Sequence, residues 1–196
     1  MRSHKEHKKL FLYFQTRNDE FIKELDKFFE DIKKNEITKL VIDVRKNIGG
    51  NIKCVEGLLT YFNVKECYFS AAEDEYDKKH VQNIWVDKNR VYLGETYVLI
   101  SNSTFSAGNQ LADIFKFNNI GTLIGEPTGN SPSFYANPIL IELPNSKIKC
   151  SISTKYIIGV DKNNNSNTVL PDINMSNTIE NIMSDKESII EYIKNL

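Results

Sequence analysis

Cysteine is scarce in this chain: Cys54, Cys67 and Cys150 are odd in number, widely spaced and form no C-x-x-C pair. Neither a disulfide framework nor a zinc site is indicated, and free thiols buried in the interior are the reading that fits. Histidine is as rare, with only His4, His7 and His80. No apolar run approaches the roughly 18 residues of a membrane helix. The basic start, Met1 to Lys9, is followed by Leu10-Phe11-Leu12-Tyr13-Phe14, too short for the apolar region of a secretion signal. As it stands the chain is not addressed for export, although an N-terminal part could be missing, and its localisation stays open. An excess of one charge is absent too. Lys and Arg number 25 against 26 Asp and Glu, a formal net charge of -1, so no bulk field favours nucleic acid or an anionic membrane. Neither GxxxxGK[ST] nor GxGxxG occurs, which removes the usual support for nucleotide binding. No internal repeat and no low-complexity linker divides the chain. The partner has to be read from a site.

What is present suits one folded unit over residues 1–196. Hydrophobic residues make up 40% and charged residues 26%, and a chain of this length buries about 70% of its unfolded surface. Leu10 to Phe14 reads as a strand, and Thr16 with Asp19 as a weak capping box. Phe21, Leu25, Phe28, Phe29 and Ile32 then fall on one face of a helix. Thr38 to Val44 is a β-branched run typical of a strand buried on both faces. It breaks into Asn47-Ile48-Gly49-Gly50-Asn51, after which Val55, Leu58, Leu59 and Phe62 return at helical spacing. Cys67 to Phe69 suggests a short strand. Ala71 to Asn89 has no dominant period; Trp85 there reads as a packing residue and His80 as a surface one. Asn119 to Gly129 gives a further strand running into a glycine turn. Ile139 to Leu143 and Ile148 to Ser153 alternate as a hairpin joined through Pro144-Asn145-Ser146-Lys147. Lys162 to Asn167 reads as a loop, and Ser184 with Glu187 caps a closing helix through Ile189, Ile190 and Ile193. Strands alternating with helices predict an α/β layered fold with one late β-hairpin.

Chemistry concentrates at two strand-turn-helix junctions. Tyr97-Val98-Leu99-Ile100 breaks into Ser101-Asn102-Ser103-Thr104-Phe105-Ser106, and Leu111, Ile114 and Phe115 then give a helix its apolar face. Ser106 stands at the junction, either as a helix N-cap or as a nucleophile presented by the turn. At the other junction, Gly49-Gly50 can bring backbone N–H groups close to a developing negative charge, or can simply make a tight turn.

These residues resemble a known family. Leu40-Val41-Ile42-Asp43-Val44-Arg45-Lys46-Asn47-Ile48-Gly49-Gly50 is similar to the D-L-R-x-N-x-G-G segment of the tail-specific, C-terminal processing peptidases and the tricorn core. Phe105-Ser106-Ala107-Gly108-Asn109 aligns with their nucleophile segment, usually S-A-S-A-S-E, with Ser106 on the reactive serine. Gly125-Glu126-Pro127-Thr128 matches G-E-x-T, Leu143-Pro144-Asn145 matches L-P-N-G, and Pro171-Asp172-Ile173 matches P-D-I. The segments occur in the family's order. The resemblance implies a crotonase/ClpP-like core without a PDZ domain, and a serine-type peptidase acting on peptides or unfolded proteins through an acyl-enzyme. It implies no cofactor, metal, nucleic acid or membrane span, and relatives are often extracytoplasmic. Ser106 would be the nucleophile, and the amides of Gly49 or Gly50 and of Ala107 would hold the oxyanion. Losing one such donor typically costs about 3–4 kcal/mol of transition-state stabilisation.

The general base is where the chain departs from its family. Processing peptidases place a lysine after the G-E-x-T turn, where this chain has Gly129-Asn130-Ser131-Pro132-Ser133. Tricorn-like members take a histidine from the early strand, where this chain has Gln15. Lys155, at the end of the predicted second hairpin strand, is the replacement lysine, since a desolvated lysine can act as base. Glu126, Tyr135 and Asp172 are positioning candidates. A missing base also fits a different reading, a degenerate member that binds peptide or apolar ligands, as the interphotoreceptor retinoid-binding protein modules do. An acyl-CoA enzyme on the related crotonase core would leave the Ser106 segment without purpose.

Overall fold

The computed structural model describes residues 7–11, 19–87, 89–176 and 188–196. His4, Leu12 to Phe14, Gln15, Thr16 and the Ser184–Glu187 cap lie outside them. In chain order the elements are β1 (His7–Phe11), α1 (Asp19–Lys34), β2 (Lys39–Asp43), α2 (Lys53–Leu59), β3 (Glu66–Tyr68) and β4 (Ala71–Ala72). A 3₁₀ turn (Glu73–Glu75), α3 (Tyr76–Lys79), β5 (Val81–Asn83), β6 (Glu95–Ile100) and α4 (Ala107–Phe117) come next. The last are β7 (Thr122–Gly125), β8 (Phe134–Glu142), β9 (Lys149–Ile158), β10 (Ile173–Asn174) and α5 (Ser188–Lys194).

A five-stranded parallel sheet in the order β1-β2-β6-β7-β10 forms the centre. Because side chains alternate along a strand, each central strand feeds two cores. Leu40, Ile42, Val98, Ile100 and Leu123 face α1, α2 and α4. Val41, Tyr97, Leu99 and Ile124 face Ile189, Ile190 and Ile193 of α5. The run expected to be buried on both faces is so, and the α/β reading holds. In α1, Leu25, Phe29 and Ile32 are buried, with Phe21 and Phe28 packed beside them. Phe29 stacks on Tyr61 with centroids 4.3 Å apart and meets Phe62 edge-on. Helix α4 is buried on every side from Ala107 to Phe115, more than the single apolar face the spacing of Leu111, Ile114 and Phe115 predicts. Sheet and helices together exclude water around it.

The late hairpin is present and longer than expected. Strands β8 and β9 pair antiparallel from Phe134↔Ile157 to Glu142↔Lys149, and β4 adds to the other side of β9. Leu143 N–H donates to Ile148 O, which closes the turn.

Three expectations need correction. Trp85 is 74% exposed rather than packed; it follows β5, which among the described residues pairs with β3 alone, away from the main sheet. His80 is half-buried rather than a free surface residue, because its ring stacks on Tyr76 at 4.3 Å and its Nδ1 lies 2.9 Å from Phe69 O. Cys54 and Cys67 are buried, whereas Cys150 on the hairpin is only partly so.

Candidate active site

The two junctions singled out by sequence meet at the C-terminal ends of β2 and β6, which are neighbours in the sheet. Short polar side chains lace the loops together. Ser101 Oγ donates to Arg45 O at 2.6 Å and Thr104 Oγ1 to Val44 O at 2.9 Å. Phe105 N–H donates to Asn47 O at 2.9 Å. Gly108 is packed so closely that a Cβ there would lie 2.8 Å from the same carbonyl. These contacts explain why small residues follow β6: only they let α4 start against the Asn47 loop. Asp43, at the end of β2, is buried and ion-paired with Arg45 at 2.6 Å and Lys9 at 2.9 Å. Burial pushes its carboxyl up, but the hydrogen bonds from Arg45 and Lys9 outweigh it and hold the group below the usual range.

Ser106 occupies φ 51, ψ −122, a conformation costly for a residue with a side chain and typical of functional turns, at about 1–3 kcal/mol. Its N–H donates to Asn130 Oδ1 at 2.9 Å. Its hydroxyl caps nothing in α4, which sets aside the N-cap reading. Among the described residues Ser106 Oγ has no hydrogen-bond partner. The opposing wall is Gly49, at φ 113, where a Cβ would lie 2.5 Å from Ser106 Cβ, 2.9 Å from its Oγ and 3.2 Å from the Ala107 nitrogen. Glycine is required there for space as well as backbone angle. Gly49 N–H is taken by Asn47 Oδ1 at 2.9 Å. Ala107 N–H, at the start of α4, has no acceptor among the described residues. An uncommitted hydroxyl in a strained turn, beside an unspent amide at a helix start, has the ingredients of acyl transfer.

Ser106 and Gly50 line an open cavity of about 690 Å³ bounded on its far side by β8 and β9. Ile48 and Phe105 flank its mouth, both exposed. Deeper in, Gln110 Nε2 donates to Ser70 Oγ at 2.7 Å. Lys155 lies on the same cavity, half-buried, with no ion pair among the described residues; it sits in the interior of β9 opposite Ala136 rather than at the strand's end. Of the positioning candidates, Tyr135 lines the cavity and rests on Tyr156. Asp172 does not: it accepts from Leu123 N–H at 2.9 Å and pairs with Lys116 at 2.7 Å, fastening β10 to β7. Glu126 and His80 do not line it either.

A family model for Peptidase family S41 matches residues 12–175. The chain belongs to that family. Nothing among the curated proteins matches it. Among solved structures, this S41 chain is similar to a candidate peptidase of Parabacteroides merdae, with 21% identity, TM-score 0.76, and 97% of this chain and 60% of that one covered. Mature CPAF complexed with lactacystin gives 14% identity and TM-score 0.72, covering 96% of this chain and 50% of that one. The photosystem II D1 C-terminal processing protease gives 19% and 0.59, covering 86% of this chain and 42% of that one. The S41 chain thus spans between two fifths and three fifths of the length of these structures. Such likenesses carry the fold alone.

Two site residues escaped the sequence reading. Asn47 holds the Gly49 amide with its side chain and Phe105 with its carbonyl. Asn130 holds Ser106, and its own carbonyl accepts from the buried Thr128 hydroxyl at 3.1 Å. Both lie inside the matched motifs or beside them. The signal that could have found them is the Asn itself, whose short amide serves turns that need a local acceptor. Among the described residues no group of three or more His, Cys, Asp or Glu could hold a metal. The Cys67 thiol is pushed up to about 12 by burial, which makes it inert.

Proposed function

We propose that this chain is a serine-type peptidase core spanning residues 1–196, acting on peptides or unfolded proteins. Ser106 Oγ attacks a peptide carbonyl, its proton passes to a base, and the new C–O bond gives a tetrahedral oxyanion. Collapse breaks the C–N bond, the base returns the proton to the leaving amine, and water then hydrolyses the acyl-enzyme. The Ala107 amide and the Gly50 amide take the oxyanion, since Gly49 spends its own on Asn47. Gly49 contributes by closeness: its missing Cβ leaves room for Ser106. Lys155 is assigned the base, reaching into the cavity from β9. The observation that carries this reading is the uncommitted Ser106 hydroxyl held in a strained turn against Gly49.

A fluorophosphonate probe tests it directly. Intact-mass analysis is expected to show one adduct on the wild-type chain and none on Ser106→Ala. A folded wild-type chain that takes no adduct on prolonged exposure would overturn the peptidase reading, and saturable binding of an apolar fluorescent ligand by that same chain would assign it to the degenerate, ligand-binding class.

A further inference from the structure

The Ser106 cavity has a floor unlike its mouth. Of the residues that line it, Phe69, Ser70, Ala71, Ala72 and Gln110 are buried, whereas Ile48 and Phe105 at the mouth are exposed. No charged side chain is among those five, and its two polar members sit on fixed supports. Gln110 lies on α4 one turn beyond Ser106, on the same face of the helix, and a helical side chain leans back over the preceding turn. Its amide therefore extends beneath the proposed nucleophile. Ser70 belongs to a segment tied on both sides. Phe69 N–H donates to His80 O at 2.7 Å, and His80 Nδ1 lies 2.9 Å from Phe69 O. On the other side Ala71 and Ala72 pair with β9.

The bond from Gln110 Nε2 to Ser70 Oγ, at 2.7 Å, is the only one either side chain makes among the described residues. It uses one amide N–H and one hydroxyl lone pair, which leaves the amide carbonyl and the hydroxyl proton unspent. Among the described residues the sealed side-chain oxygens without a partner are Asn109 Oδ1 and Thr168 Oγ1; Gln110 Oε1 opens on the cavity instead. The floor thus presents one acceptor and one donor side by side.

We propose that Gln110 and Ser70 select the substrate residue whose carbonyl Ser106 attacks, favouring serine, threonine and asparagine. The inference rests on the peptidase reading and names the substrate class of that site. A short hydroxyl or amide side chain donates to Gln110 Oε1 and accepts from the Ser70 hydroxyl. An aliphatic side chain would cover the same two groups and leave them buried without partners, which is how a polar pocket rejects an apolar analogue. A charged side chain would give up its water for a floor that holds no opposite charge. Depth acts in the same direction. One helical turn rises about 5.4 Å and Gln110 leans back over part of it, so the space suits a side chain of about two or three heavy atoms.

Peptidyl diphenyl phosphonates test the selection, since Ser106 Oγ forms a bond to phosphorus as phenoxide leaves and takes up the serine proton. Four N-acetyl-Ala-Ala probes carry the side chain of serine, asparagine, leucine or lysine beside phosphorus, and intact mass follows each rate. The serine and asparagine probes are expected to react with the wild-type chain at least tenfold faster than the other two. The double variant Gln110→Leu, Ser70→Ala should reverse the order and put leucine first. Gln110→Glu, which places a carboxylate on the floor, should raise the lysine probe at least tenfold relative to leucine. Equal wild-type rates, or a wild-type preference for leucine or lysine, overturn the proposal. So does a serine preference that the double variant keeps, or a Gln110→Glu chain with the wild-type melting temperature and no gain for lysine. A wild-type chain that takes a simple fluorophosphonate but none of the four probes also overturns it while Ser106 stands as nucleophile. A chain that takes neither loses the peptidase reading, and this inference with it.

Discussion

Asn130 Oδ1 accepts the Ser106 N–H at 2.9 Å, and so a side chain 24 residues downstream fixes the backbone of the proposed nucleophile. The bond belongs to a chain of contacts. Val169 N–H donates to Thr128 Oγ1, whose hydroxyl donates to Asn130 O. The G-E-x-T threonine thus acts on Ser106 at second hand, through Asn130. Asn130→Ala is expected to slow fluorophosphonate labelling by at least tenfold, since it leaves a backbone N–H without its acceptor, at a stability cost of about 1–3 kcal/mol. Asn130→Asp keeps an acceptor and should label faster than the alanine variant. Equal rates for the two would show that the bond does not position the serine.

Gly49→Ala is expected to abolish labelling. The added methyl would collide with Ser106 Cβ and Oγ at 2.5 and 2.9 Å, and alanine is strained at φ 113. Strain of this kind costs about 1–3 kcal/mol, so chemical denaturation should report a folded but weakened protein. Retained labelling at the wild-type rate would mean that the loop moves away at little cost.

Lys155→Met should lower both labelling and peptide hydrolysis by at least tenfold without moving the melting temperature, because the residue makes no ion pair among the described residues whose loss would be felt. Lys155→Arg should be as poor, since guanidinium stays protonated and cannot accept the serine proton. An active arginine variant would make Lys155 a charge in the cavity and no base.

Two buried aspartates give opposite pH dependences. Asp43 is held below the ordinary 3.8: burial alone would raise it, but the Arg45 and Lys9 hydrogen bonds prevail. Its contribution to stability is present above the unfolded value and is lost as pH falls through the lower folded one. Asp43→Asn should therefore be less stable than wild type at pH 7, the gap narrowing below about pH 4. Asp113 is raised, first by burial and then by Asp161, against the hydrogen bond from Val160 N–H. Its charge opposes folding above the raised value, so Asp113→Asn, which can still accept from Val160, should be more stable than wild type at pH 7. That advantage should vanish in acid. Urea midpoints across pH decide both signs.

The framework of the fold was legible because its signals are local. Buried parallel strands write themselves as unbroken β-branched runs such as Lys39 to Val44, and helices such as α1 as a 3.6 period. The two glycine-bearing and serine-bearing junctions were legible for the same reason. What escaped is what depends on distant partners. Trp85 was read as packing and His80 as surface because residue type sets a tendency while neighbours decide burial; Trp85 follows β5 and His80 stacks on Tyr76 of α3, both elements too short to show a period. Asn130 was passed over because its partner lies in another loop. The hairpin's length was underestimated, since Phe134 to Pro138 carries a proline and a positive φ at Asn137 and does not alternate cleanly.

The central sheet stacks its strands in the order in which translation delivers them, from β1 at one edge to β10 at the other. A chain leaving the ribosome can add each strand to a template already made, as domains that fold during synthesis do. The turn that carries Ser106 emerges early in this sequence, directly after β6. Its latch, Asn130, arrives only once β7 has been laid beside β6. During that interval the serine has neither a held amide nor a far wall to its cavity, because β8 and β9 come later still. The contacts that fix the Ser106 turn and wall its cavity are thus the last of the site to be made during synthesis.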